Sequence, residues 1–188
     1  MELINFDILS FLTQTQQIDY EAYAAVIKNL LPANYLCGKE MLLLAEQPYK
    51  HIVDIEKRYR ALSQRPQNKI DIAAICFQVD TEDIERVGIF DFYRAFNFIT
   101  QQFNTLIERE NKVLSYEPDA EEFEAGIQSL GKFGRLATID SLSGGDLLKH
   151  KEIIELPYSR VFTKLYLESE KAKYQKKLQT IRANKQVA

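Results

Sequence analysis

Tryptophan is absent from this 188-residue chain, and turn formers are scarce, with seven glycines and five prolines. So few turn formers argue against an all-β protein with many tight reversals. Only two cysteines occur, Cys37 and Cys76, both in apolar surroundings and without metal-ligand spacing. Two reduced, buried thiols are the expectation. No apolar run approaches the ~20 residues that a membrane span needs, and no basic-then-apolar leader opens the sequence. A cytoplasmic protein without membrane contact is therefore expected.

What is present is apolar mass and charge asymmetry. Hydrophobic residues make up 46% of the chain, enough for a core, and 11 Phe and 10 Tyr supply its aromatic part. From Pro157 onward, eight Lys/Arg stand against two acids, Glu168 and Glu170, a local charge of +6; the preceding residues hold 16 basic and 25 acidic side chains, a charge of −9. A basic tail on an acidic body can meet nucleic acid, an acidic partner or the body of a neighbouring copy.

In chain order, Asn5 or Asp7 can cap a first short helix carrying Ile8, Phe11 and Leu12. Asp19 is placed to cap a second, with Tyr20, Tyr23, Ala24, Ile27 and Leu31 on one stripe, ended by Pro32. The stretch from Gly38 to Gln47, very apolar, is expected to be buried. Pro48 opens a helix in which Tyr49, Ile52, Ile55, Tyr59 and Leu62 recur at three- and four-residue spacing. The run IDIAAICFQV from Ile70 suits either a strand or a buried helix. Helix is favoured, because no second strand-like run exists to pair with it.

Asp80 and Thr81 offer caps for the next short helix, and Asp91 for the most aromatic stretch of the chain. There Tyr93, Phe96, Ile99, Phe103, Leu106 and Ile107 hold helical spacing, widened by Phe90, Phe92 and Phe98, as a central buried helix requires. After the break at Tyr116–Asp119, Phe123, Ile127, Leu130, Leu136 and Ile139 predict an amphipathic helix ending near Leu142. Gly126, Gly131 and Gly134 inside it point to a close helix approach or a kink. A Ser-Gly-Gly-Asp turn, a short helix capped by Asp146, and a last helix begun at Pro157 complete the chain. In that last helix Val161, Phe162, Leu165, Tyr174, Leu178 and Ile181 read as a narrow seam, of the kind that projects or docks on a partner.

Candidate chemistry is thin. Gly126–Phe133 (GIQSLGKF) nearly matches a phosphate-binding loop, but Phe133 replaces the required hydroxyl and the preceding residues read as helix. His51 and His150 lie on separate helices without a third ligand or a proton-transfer partner at readable spacing. Ser143 lacks the strand–Ser–helix framing of a nucleophile elbow. The basic side chains Lys171, Lys173, Lys176, Lys177, Arg182 and Lys185 are scattered around a helix on an acidic body, which weighs against nucleic acid as the partner. No enzyme activity, metal or cofactor is expected.

Two stretches carry a resemblance. Gly38–Leu62 (GKEMLLLAEQPYKHIVDIEKRYRAL) resembles helix openings of small phage baseplate-hub and tail assembly proteins. Phe90–Phe103 (FDFYRAFNFITQQF), followed by Gly131–Leu165 (GKFGRLATIDSLSGGDLLKHKEIIELPYSRVFTKL), is similar to tail-assembly chaperones of phages and prophages. The likeness covers Gly38 to Leu178. It implies a non-enzymatic morphogenesis factor, working in the host cytoplasm or carried into the virion, whose partners are other phage structural or tail proteins. The alternative is a structural virion component that oligomerises through its terminal helix.

The expected fold is all-α: an irregular helical bundle (residues 1–114) with an aromatic-rich central helix, then a C-terminal helical part (residues 119–188) with a long basic helix. The residues expected to bind a partner are Pro157, Tyr158, Phe162, Leu165, Lys173, Tyr174, Lys177 and Leu178.

Overall fold

The computed structural model describes residues 5–13, 20–116 and 118–187, without the side chains of 183, 186 and 187. The cap expected from Asp19 lies outside the described residues. Ten α-helices and three short 3-10 turns follow one another, and no strand occurs among the described residues. The fold is all-α. Two compact units divide within one long helix, residues up to Leu106 forming the first and residues from Ile107 the second.

The first unit contains α1 (Ile8–Thr13), α2 (Tyr20–Lys28), α3 (Tyr49–Arg60), α4 (Asn68–Phe77), α5 (Thr81–Glu85) and most of α6 (Ile89–Leu114). Asp7 caps α1, accepting from the Ser10 N–H at 2.8 Å. Tyr49, Ile52 and Ile55 bury one face of α3, and Lys57, Arg58 and Arg60 complement the dipole at its C-terminal end. The ambiguous run from Ile70 is helical: α4 buries Ile70, Ile72, Ala73, Cys76 and Phe77 and packs on α3 and α5. Gln78 ends it in the left-handed region at φ 53°, and the Lys39 ammonium donates to the Gln78 carbonyl.

The apolar stretch before α3 is only half inside. Met41 and Leu44 are buried, whereas Leu42 and Leu43 face solvent. The backbone decides this. Gln47, fully buried, donates from Nε2 to the Leu42 and Cys76 carbonyls at 3.0 and 3.1 Å. Asn34 brackets Met41, donating to its carbonyl and accepting from its N–H. A buried amide with satisfied partners fixes the trace of a segment too short to form a helix of its own.

Helix α6 begins at Ile89, one turn earlier than a cap at Asp91 would place it, so Asp91 lies in its first turn. Its inner face buries Ile89, Phe92, Tyr93, Ala95, Phe96, Ile99, Phe103 and Leu106. Rings stack along it: Tyr59 lies 4.8 Å from Phe103 at 5°, and Phe92 lies 5.8 Å from Phe96 at 13°. Such pairs add about 0.5–1.5 kcal/mol each beyond their buried area. The Tyr59 hydroxyl meets Thr100 Oγ1 at 2.7 Å, and burial pushes its pKa up to about 12.

In the second unit the single amphipathic helix expected from Glu121 to Leu142 is replaced by three pieces. These are α7 (Ala120–Glu124), a 3-10 turn over Ile127–Phe133, and α8 (Arg135–Ser143). Gly126 at φ 81° and Gly134 at φ 51° break it, in conformations an L side chain rarely adopts. Close helix approach is not their purpose, since a Cβ at Gly126, Gly131 or Gly134 would meet nothing within 4 Å. Two breaks spoil the periodicity, and the outcome is exposure: of the intended face, Ile139 is buried while Phe123, Leu130 and Leu136 stand out. α9 (His150–Glu155) and α10 (Tyr158–Val187) close the chain.

Candidate functional site

Three local devices hold the second unit together. Asp119 caps α7 in a reciprocal box with Glu122: its carboxylate accepts from the Glu122 N–H at 3.0 Å, and Glu122 accepts from the Asp119 N–H at 2.9 Å. The second Asp119 oxygen takes the Lys176 ammonium at 3.4 Å, which ties the middle of α10 to α7. Chiefly the Glu122 N–H, with Lys176 assisting, holds the Asp119 carboxyl below the usual carboxylate range.

The second device is a carboxylate clamp. Arg135 on α8 donates both terminal nitrogens to Glu110 on α6, at 2.8 and 2.9 Å, with both side chains about 15% exposed. The Tyr158 hydroxyl donates to the same carboxylate at 3.0 Å. One ion pair thus fixes α6, α8 and the start of α10, in the bidentate geometry that arginine favours. Beside it, the Arg109 guanidinium covers the Phe162 ring at 4.3 Å. Sequence reading missed this clamp, and the only trace of it is an arginine placed directly after a helix-breaking glycine.

The third device is the turn before α9. Asp146 accepts from the Leu148 N–H, and His150 Nε2 lies 3.4 Å from Asp140 on α8. Neither histidine is a simple surface residue: the His150 side chain is 17% exposed, and His51 Nδ1 lies 3.1 Å from Gln47 Oε1.

The residues marked from sequence fall on different sides of α10. Tyr158 and Phe162 are buried, and Pro157 and Leu165 half-buried. Lys173, Tyr174 and Lys177 are exposed, and Leu178 half-buried. Lys173 is engaged by Glu170 at 2.8 Å. The first four belong to the packing of the second unit, and the last four to a solvent-facing stretch.

More apolar surface stands open than the sequence suggested. In the second unit Phe123, Leu130, Phe133, Leu136, Leu147 and Leu148 are between 47% and 88% exposed. Leu147 and Leu148 occupy a 3-10 turn between Asp146 and His150, whose backbone bonds are satisfied locally, so both side chains turn outward. Covering one such side chain is worth about 1.5–3 kcal/mol.

In the first unit an open cleft of about 450 Å³ is lined by Leu36, Cys37, Val87, Asp91 and Arg94, among others. Cys37 and Gly38 form a two-residue turn, both at positive φ, whose flanking Leu36 and Lys39 exchange backbone hydrogen bonds at 2.9 Å. Burial and Asp83 raise the Cys37 thiol, which is the opposite of nucleophile activation. Among the described residues no three His, Cys, Asp or Glu side chains come together as metal ligands, and no helix is long and apolar enough to cross a membrane.

Compared with known protein families, with curated proteins and with solved structures, the chain matches none.

Proposed function

We propose that this chain is a non-enzymatic morphogenesis protein of a phage or prophage, an assembly chaperone or adaptor that holds a tail or baseplate protein until assembly. The observation that carries the binding role is the apolar surface left open between Phe123 and Ile181, beside a helix whose last part is basic. Exposed apolar patches of this kind mark interaction sites. The choice of tail and baseplate proteins as partners comes from the resemblance of Gly38–Leu178 to tail-assembly chaperones, and with it the host cytoplasm as the place of action.

The test is co-expression with the tail and baseplate proteins of the source phage or prophage, followed by capture of the full chain and of a version ending at Lys164. The full chain recovers a defined virion protein, and the shortened one loses it. Recovery of the same proteins by both, or of none by either, overturns the reading. Mature particles decide between holding and staying: a chaperone is absent from them, whereas a structural component is present in stoichiometric amount.

A further inference from the structure

Helix α10 carries two apolar faces. At roughly 100° per residue, Tyr158, Val161, Phe162 and Leu165 fall within an arc of about 100°, and this is the side that packs. By the same rotation Leu167, Tyr174, Leu178 and Ile181 fall within an arc of about 60° centred on the opposite side. Of these, Leu167 is 49%, Tyr174 63% and Ile181 45% exposed. The seam expected from sequence thus changes sides near Leu167.

Among the described residues, the distal half of α10 has one tie to the rest of the second unit, an exposed ion pair. Lys176 lies on the packing side, where Asp119, the cap of α7, takes its ammonium at 3.4 Å, and the apolar stripe lies on the opposite side of the helix. The stripe runs for roughly 21 Å, at 1.5 Å per residue. Arg182 and Lys171, the latter paired with Glu168 at 3.3 Å, flank it on one side; Lys177 and Glu170, the latter paired with Lys173, flank it on the other; and Lys185 stands at its end. From Lys171 to the end of the sequence there are six basic residues and no acid. Among the described residues Lys177, Arg182 and Lys185 make no ion pair, so their charge is free to act outward.

We propose that this outward stripe is the docking face for an acidic amphipathic helix of a partner protein, about four turns long, with an apolar face rimmed by Asp and Glu. The inference rests on the reading of the chain as a holder of another protein and specifies the chemistry of what it holds. A second copy of α10 is disfavoured, because self-pairing would set this cationic stretch against cations. Nucleic acid is disfavoured because Leu167, Leu178 and Ile181 offer nothing to phosphates, while an apolar helix face buries against them directly. The rim charges supply orientation and encounter rate, and the stripe supplies the contact area.

Binding of fluorescent 16-residue peptides to the full chain, followed by anisotropy at physiological salt, tests this. One peptide is acidic and amphipathic, one has the same composition scrambled to abolish the apolar face, and a 16-nucleotide single-stranded DNA is the third probe. The amphipathic peptide binds at least tenfold more tightly than the other two. The double substitution Tyr174→Ser/Ile181→Ser, which leaves the charge unchanged and alters only exposed positions, weakens it at least tenfold while the helical circular dichroism signal is retained. Leu167→Ser gives a second, independent loss.

Equal binding of both peptides, or indifference to these substitutions, overturns the proposal in favour of diffuse charge attraction. Tighter binding of DNA makes the face a nucleic-acid surface, and sedimentation of a dimer that Tyr174→Ser/Ile181→Ser dissolves makes the occupant a second copy. The assembly reading fails separately. If capture of a virion protein persists in Tyr174→Ser/Ile181→Ser, only the docking face is lost; if the peptide binds but no virion protein is captured, only the assembly role is lost.

Discussion

Phenylalanines on α6 and on the stretch from α7 to the 3-10 turn before α8 meet opposite fates. In the first, Phe92, Phe96 and Phe103 line the inner face of α6 and are 7% exposed or less; in the second, Phe123 and Phe133 are 64% and 47% exposed. All but four of the buried apolar side chains among the described residues lie at or before Leu106, the exceptions being Ile139, Tyr158, Val161 and Phe162. The first unit is held by burial. The second is held by a clamp, a cap, a turn and that small cluster of four, and many of its apolar side chains stay exposed. The first unit also leaves apolar side chains outside, Leu31, Tyr35, Leu42 and Leu43 among them, but the second exposes more of them and buries far fewer.

The largest effect that would sharpen this contrast is in the first core. Phe92→Ala removes a fully buried ring and should cost about 3–5 kcal/mol, read as a lower midpoint in urea unfolding. Phe133→Ser or Leu148→Ser should change stability by no more than about 0.5 kcal/mol. Comparable losses at Phe92 and Phe133 would break the comparison.

Next comes the clamp. Arg135→Met leaves the Glu110 carboxylate poorly exposed and without its cation, which should cost about 3 kcal/mol. The loss should appear as faster amide exchange in α8 and at the start of α10. Exchange unchanged at both places would mean that packing, not the ion pair, holds these helices.

The glycines offer a smaller effect with a sign. Gly126→Ala should destabilise by about 1–2 kcal/mol, because its φ of 81° is strained for alanine although space is open. Gly131→Ala, equally unobstructed but without a positive φ, should stabilise by about 0.4–1 kcal/mol through the unfolded chain. Thermal melts of the two variants should therefore move in opposite directions.

The smallest effect is in acid. The Asp119 pKa is depressed in the folded protein, so its contribution is present above the ordinary carboxylate range and lost as pH falls through the lowered value. Protection of the Glu122 amide should fall in that acid window, and Asp119→Ala should remove this pH dependence.

Much of the first unit was legible in the sequence. The three- and four-residue spacing of Tyr49, Ile52, Ile55 and Tyr59, and of the α6 aromatics, has one structural reading, and α4 was placed correctly by the lack of a pairing strand. The second unit was less so. Its glycines look alike in sequence, whereas in the fold Gly126 and Gly134 take positive φ and Gly131 does not. Apolar periodicity in Phe123–Ile139 suggested a buried helix face, and two breaks turned most of it outward. The seam on α10 was visible as composition, but its change of side near Leu167 appears only when rotation is combined with exposure. Leu42 and Leu43 were expected inside because hydropathy does not reveal that Gln47 and Asn34 fix the backbone around them.

Hydrogen–deuterium exchange on the free chain, at two concentrations, tests most directly the claim that one unit is packed and the other left open. Amides in α3, α4 and α6 up to Leu106 should exchange at least about 100-fold more slowly than those of residues 120–149 and 170–187, independently of concentration. Uniform protection across both units, or protection of residues 120–149 and 170–187 that rises with concentration, would contradict the account by showing that the exposed apolar surface is already covered.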